Sequence, residues 1–83
     1  MKVRTTKVQP TDTRGERIRA RTRIDPIAVQ TLTVAWDYGL SEMANHALAA
    51  KLLAHKVSGY GPSLLPTQVG THQRGYDWDV ASL

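Results

Sequence analysis

Eighty-three residues suffice for one small domain over residues 1–83, with one core and no room for a second. A hydrophobic content of 41% and a charged content of 22% exclude wholesale disorder, and the lack of cysteine excludes disulfides and thiolate metal sites. The net charge of +4 is segregated: residues 1–24 hold eight Lys/Arg against Asp12 and Glu16, whereas the rest hold three against five acids.

Taken in chain order, "MKVRTTKVQ" is rich in β-branched residues and predicts a first strand. "PTDTRG" gathers Pro, Asp, Thr and Gly, which is turn chemistry. "ERIRARTRI" alternates with period two, as a strand does when one face is charged. A break at Asp25-Pro26 precedes "AVQTLTVAWDY", where Leu32, Val34 and Trp36 share one face and Thr31, Thr33, Ala35 and Asp37 the other.

Ser41 is a suitable N-cap and Glu42 suits the first turn's dipole, so "EMANHALAAKLLAHKV" predicts a helix that stops at Ser58-Gly59. At 100° per residue Met43, His46, Ala50, Leu53 and Val57 form one stripe facing a core. Leu48 and Leu52 point away from it. Either the loop around Tyr60 to Leu65 folds over that pair, or the pair meets a partner or a second copy of the chain. "LLPTQVG" and "GYDWDVA" then predict two strands closed as a hairpin by "THQR", with Pro66 keeping the first at an edge or a bulge. The order is β-β-β-α-β-β. The expected fold class is α+β, a small antiparallel sheet with one helix packed on it.

Little in the sequence supports chemistry. His46 and His55 lie nine residues apart, on opposite sides of the helix, so they cannot share a metal ion; His46 reads as a core histidine and His72 as a solvated turn residue. Asp77 and Asp79 share one side of a strand without a third acid at useful spacing, and read best as cross-strand partners of basic residues such as an arginine row. No phosphate loop, GxGxxG, GxSxG or HExxH motif occurs. No catalytic residue, metal or cofactor is therefore expected. No apolar run is long enough for a membrane span or a secretory leader, so a cytoplasmic protein without membrane contact is expected.

The strongest feature is the row Arg17, Arg19, Arg21 and Arg23. Period two puts these side chains on one face, ~6.5–7 Å apart along the strand. That is close to the distance between successive phosphates on a nucleic-acid strand, and guanidinium groups suit bidentate recognition of phosphate or carboxylate. Lys2, Arg4 and Lys7 of the neighbouring strand are candidates to enlarge the patch. Three readings remain open: a solvated face with local acidic partners, a docking face for an acidic protein surface, and a nucleic-acid backbone contact.

"TKVQPTDTRGERIRA", a strand ending in "WDY", "LSEMANHALAAKLLAHK" and a C-terminal "GYDWDV" together resemble a family of small phage and prophage proteins of proteobacteria. Several anti-CRISPR proteins are similarly short α+β domains with one helix on a small sheet. The resemblance implies inhibition by occupancy: a rigid body binds a Cas effector complex in the cytoplasm of a bacterial host and blocks its access to target DNA. It carries over no residue-level site. A basic inhibitor of this kind would dock on an acidic protein surface or engage nucleic acid, and would not imitate DNA. The expectation is thus a non-enzymatic binding protein whose face is Arg14, Arg17, Arg19, Arg21 and Arg23, with a homodimer or partner contact at Leu48 and Leu52. The alternative is a small nucleic-acid-binding accessory protein using the same row.

Overall fold

A computed structural model describes residues 1–11, 15–23, 28–58 and 64–82. Three strands come first: β1 (Lys2–Val8), β2 (Arg17–Arg23) and β3 (Val29–Ala35). The helix α1 (Glu42–Ser58) follows, and then β4 (Leu64–His72) and β5 (Gly75–Ser82). Both the expected element order and the expected α+β class are found. The Ser41 hydroxyl accepts from the Ala44 N–H at 3.1 Å and caps α1. The proposed glycine cap at Gly59 and the turn residues 12–14, with Arg14, lie outside the described residues.

The five strands form one antiparallel sheet in the order β3-β2-β1-β5-β4. The chain builds β1, β2 and β3 outward to one edge, and α1 then carries it to the opposite edge. A 17-residue helix spans ~25 Å, against ~19 Å across five strands, so one helix suffices for that crossing. β4 lands on the far edge, as Pro66 requires, and a bulge between Gln68 and Gly70 bends it. The β4–β5 hairpin returns the chain beside β1. No helix among the described residues is long and apolar enough to cross a membrane.

The core lies between α1 and one face of the sheet. Ile18, Ala20, Val3, Trp78, Val80 and Leu64 of the sheet meet Ala49, Ala50, Leu53 and Ala54 of the helix, all buried. The alanines let the helix backbone come close. Leu32, Val34, Trp36 and Tyr76 pack half-buried at the margins. Met43, expected on the buried stripe, is 46% exposed instead, in the first turn of the helix. Asn45 takes a place in the interior and fastens the helix start. Its amide donates to the Asp37, Leu40 and Ser41 carbonyls, and its oxygen accepts from the Asp37 N–H at 2.8 Å.

At the centre stands the fully buried Thr5 hydroxyl. It accepts from Trp78 Nε1 at 2.9 Å, lies 2.7 Å from His46 Nδ1 and donates to the Tyr76 carbonyl at 3.3 Å. These contacts are mutually consistent when His46 carries its proton on Nδ1 and donates to Thr5. The enclosed Nε2, which has no hydrogen-bond partner, then exposes a lone pair and leaves no N–H orphaned. Its ring is flanked edge-on by Trp36 and Tyr76, with centroids 6.2 and 4.9 Å away. His46 is the core histidine that its place on the helix implies. His72 differs from expectation: it is half-buried, and its Nε2 donates to the Thr5 carbonyl at 2.9 Å. Gly75 is pressed so closely on that carbonyl that a Cβ there would overlap it.

Two outcomes follow. Gly75→Ala pushes β5 off β1 against rigid backbone and should cost at least ~2 kcal/mol, read from the urea midpoint. A midpoint within error of the parent protein would contradict the close approach. The second concerns pH. Burial pushes the His46 imidazole below its ordinary 6.5, against a smaller opposing pull from Glu42. Unfolded His46 takes up a proton near 6.5, and folded His46 only at lower pH. Stability is therefore fully present above about 6.5 and declines as pH falls through the lowered folded value. Urea midpoints should be lower at about pH 5.5 than at about pH 8; a midpoint that stays level or rises on acidification would show that His46 is not buried neutral.

Candidate anion-binding face

The register that buries Thr5 decides where the arginines go. Thr5 pairs with Ala20, and Thr22, Ala20 and Ile18 point into the core. Side chains alternate, so Arg17, Arg19, Arg21 and Arg23 all emerge on the face opposite α1. Arg19, Arg21 and Arg23 are exposed and Arg17 is half-buried, its Nε enclosed without a hydrogen-bond partner.

Neighbouring strands fill the same face. Lys2, Arg4 and Thr6 of β1 stand on one side of the row, with Arg4 opposite Arg21 and Thr6 opposite Arg19. Thr31 and Thr33 of β3 stand on the other, opposite Arg21 and Arg19. Beyond β1 come Asp77 and Asp79 of β5, opposite Arg4 and Lys2. Arg4 Nε donates to Asp77 Oδ1 at 2.9 Å, and Lys2 Nζ lies 3.4 Å from Asp79 Oδ2. The Lys2 ammonium, with a hydrogen bond from the chain's terminal amine, holds the Asp79 carboxyl below its ordinary range.

The two acids are thus cross-strand partners of basic residues, but of Arg4 and Lys2 and not of the arginine row. β1 lies between β5 and β2 and takes up their charge. Among the described residues no acid lies within ion-pair distance of Arg17, Arg19, Arg21 or Arg23. Lys7 does not join the patch. It has the opposite parity, sits 4.5 Å over the Trp36 ring and lies 3.6 Å from Glu16.

The face that results is rich in donors. Guanidinium groups surround a shallow open depression of about 530 Å³, whose lining includes Lys2, Arg4, Arg21, Arg23, Val69 and Asp77, and Thr6, Thr31 and Thr33 stand elsewhere on the same face. Trp78 is among the residues around the depression, but its ring is buried on the core side, where Nε1 donates to the Thr5 hydroxyl. Tyr76 packs on that side too, so no aromatic ring from the described sheet residues stands on this face. The threonines were legible as an alternating row, but only the register sets them beside the arginines.

A second, smaller depression of about 350 Å³ lies near the helix start, lined by Lys7, Glu42, His72, Arg74 and Tyr76 among others. It offers no activated nucleophile. Burial and the nearby Glu42 charge push the Tyr76 phenol up, and its hydroxyl donates to Glu42 Oε2 at 3.3 Å, so it stays protonated. His72 Nε2 is engaged by the Thr5 carbonyl. Among the described residues no three His, Asp or Glu side chains are grouped to hold a metal ion. Leu48 and Leu52 are 41% and 38% exposed on the outer flank of α1, while residues 60–63 of the loop expected to cover them lie outside the described residues.

No protein-family model matches the chain, and no curated protein or solved structure matches it.

Proposed function

We propose that the protein is a non-enzymatic binding module that docks its arginine face on an acidic protein surface. One observation carries this reading: four arginines share a face on which, among the described residues, Asp77 and Asp79 are engaged by Arg4 and Lys2 and no acid pairs with the row. Four like charges in a row repel one another, and a carboxylate-bearing surface relieves that repulsion while accepting bidentate hydrogen bonds. In the form that the anti-CRISPR resemblance implies, the surface belongs to a Cas effector complex and occupancy excludes target DNA.

A second reading has its own support. The even spacing of the row matches a phosphate backbone, which makes a nucleic-acid accessory protein the alternative. That no described residue sets a stacking ring on this face weighs against single strands.

The test is fluorescence anisotropy with labelled polyglutamate, duplex DNA, single-stranded DNA and RNA at about 50 and 200 mM salt. The lead reading expects polyglutamate to bind and Arg19→Glu with Arg21→Glu to abolish binding, with thermal stability changed by less than ~0.5 kcal/mol because both side chains are exposed. Nucleic-acid binding with a steep loss at the higher salt would put the second reading first. Unimpaired binding by the folded double mutant would remove the face from either reading.

A further inference from the structure

The two sheet edges differ. β4 is blunted by Pro66 and by the bulge near Gly70. β3 has neither: "VQTLTVA" is regular over seven residues, uncharged and rich in β-branched residues, and no strand among the described residues pairs with its outer side. Its ladder alternates. Trp36 N donates inward to the Glu16 carbonyl, and the Thr31 carbonyl accepts from Lys56 Nζ at 3.3 Å. The backbone groups of Val29, Thr31, Thr33 and Ala35 therefore point away from the sheet.

A second feature lies on the same side. Leu48, Leu52 and Lys56 succeed one another at four-residue spacing, so they form one line along α1. Asn45, seven residues before Leu52, begins that line. Lys56 touches Thr31 of β3, and Asn45 holds Asp37 just beyond the end of β3. Both ends of the line thus meet β3 or its continuation, which places the exposed Leu48 and Leu52 on the helix flank above the open edge. Below them Leu32 and Val34 are only half-buried.

We infer that this edge and this flank form one interface, and that its occupant is a second copy of the chain. The strand is complementary to itself. In an antiparallel two-fold pairing centred on Leu32, Thr31 faces the partner's Thr33, Val29 faces the partner's Ala35, and Leu32 meets its own copy on the helix side. The Thr31 carbonyl passes from Lys56 to the N–H of the partner's Thr33. The two helices then lie on the same face of a ten-stranded sheet, and Leu48 and Leu52 of each line the seam between them. Lys56, the cation that reaches this edge, sits on a long flexible stem that lets its ammonium turn to solvent once the Thr31 carbonyl is taken by the partner. β3 is neutral, and the two arginine rows come to lie three strand spacings apart, ~14 Å. That exceeds the ~8 Å screening length at physiological salt. The dimer would present both rows on one continuous face.

Sedimentation equilibrium of the full chain from about 1 to 500 μM tests this. The expected result is reversible association to twice the 9.2 kDa chain mass. Thr33→Pro removes an N–H that β2 does not use, and Leu48→Glu with Leu52→Glu charges the flank without touching the strand. Each should shift the association at least tenfold to higher concentration while far-ultraviolet circular dichroism stays unchanged. Should Thr33→Pro fail to fold, the helix variant alone decides. A chain that stays monomeric throughout, or a dimer that survives the helix variant, overturns the inference. Polyglutamate binding by a strict monomer would leave the arginine reading standing and end this one.

Discussion

The Thr5 hydroxyl is the interaction on which the arrangement depends. It joins β1 to Trp78 and Tyr76 of β5 and to His46 of α1 within one buried cluster. The neighbouring Thr5 carbonyl holds His72 and permits only glycine at position 75. A hydroxyl this far inside is tolerated because its donor and acceptor capacities are met. Together these contacts fix which face of β1 is inside. A slip of one residue would turn the face over and strand the cluster in water.

The charged surface follows from that choice. With Thr5 inward and opposite Ala20, the alternation of β2 leaves its arginines on the far side from α1. The acids of β5 emerge on the same side, but β1 separates them from the row and neutralises them with Lys2 and Arg4. The face is therefore graded, with internal ion pairs toward β5 and, toward β3, hydroxyls and guanidinium groups that no acid among the described residues pairs with. Exposed ion pairs of this kind contribute little to stability. Their effect here is on position: they leave the positive field concentrated on β2.

Much of this was legible from the chain. Strict alternation in "ERIRARTRI" and "TLTVAW" reports a half-buried strand because side-chain period and burial coincide, and Ser41 marks the helix start by its capping hydroxyl. His46 on the apolar side of the helix was readable as a core residue for the same reason. What escaped depends on pairing between distant segments. That β5 inserts between β1 and β4 is decided by where the helix sets the chain down, which no local pattern reports. Hence the acid partners are Arg4 and Lys2, and His72, which looks like a turn residue, finds the Thr5 carbonyl. Leu48 and Leu52 were visible as misplaced apolar residues, but their position over β3 needed the contacts of Asn45 and Lys56.

The proposed function puts the contact with an anion on the open face of β2. The most direct measurement is a two-dimensional NMR titration of the labelled chain with polyglutamate, following backbone amides and arginine Hε signals. The account predicts that the shifts cluster on Arg17, Arg19, Arg21 and Arg23, with Thr31 and Thr33 beside them, and leave the buried side of α1 unmoved. Shifts centred on Lys51, Lys56 and His55 of the helix, or scattered over all cations alike, would contradict it.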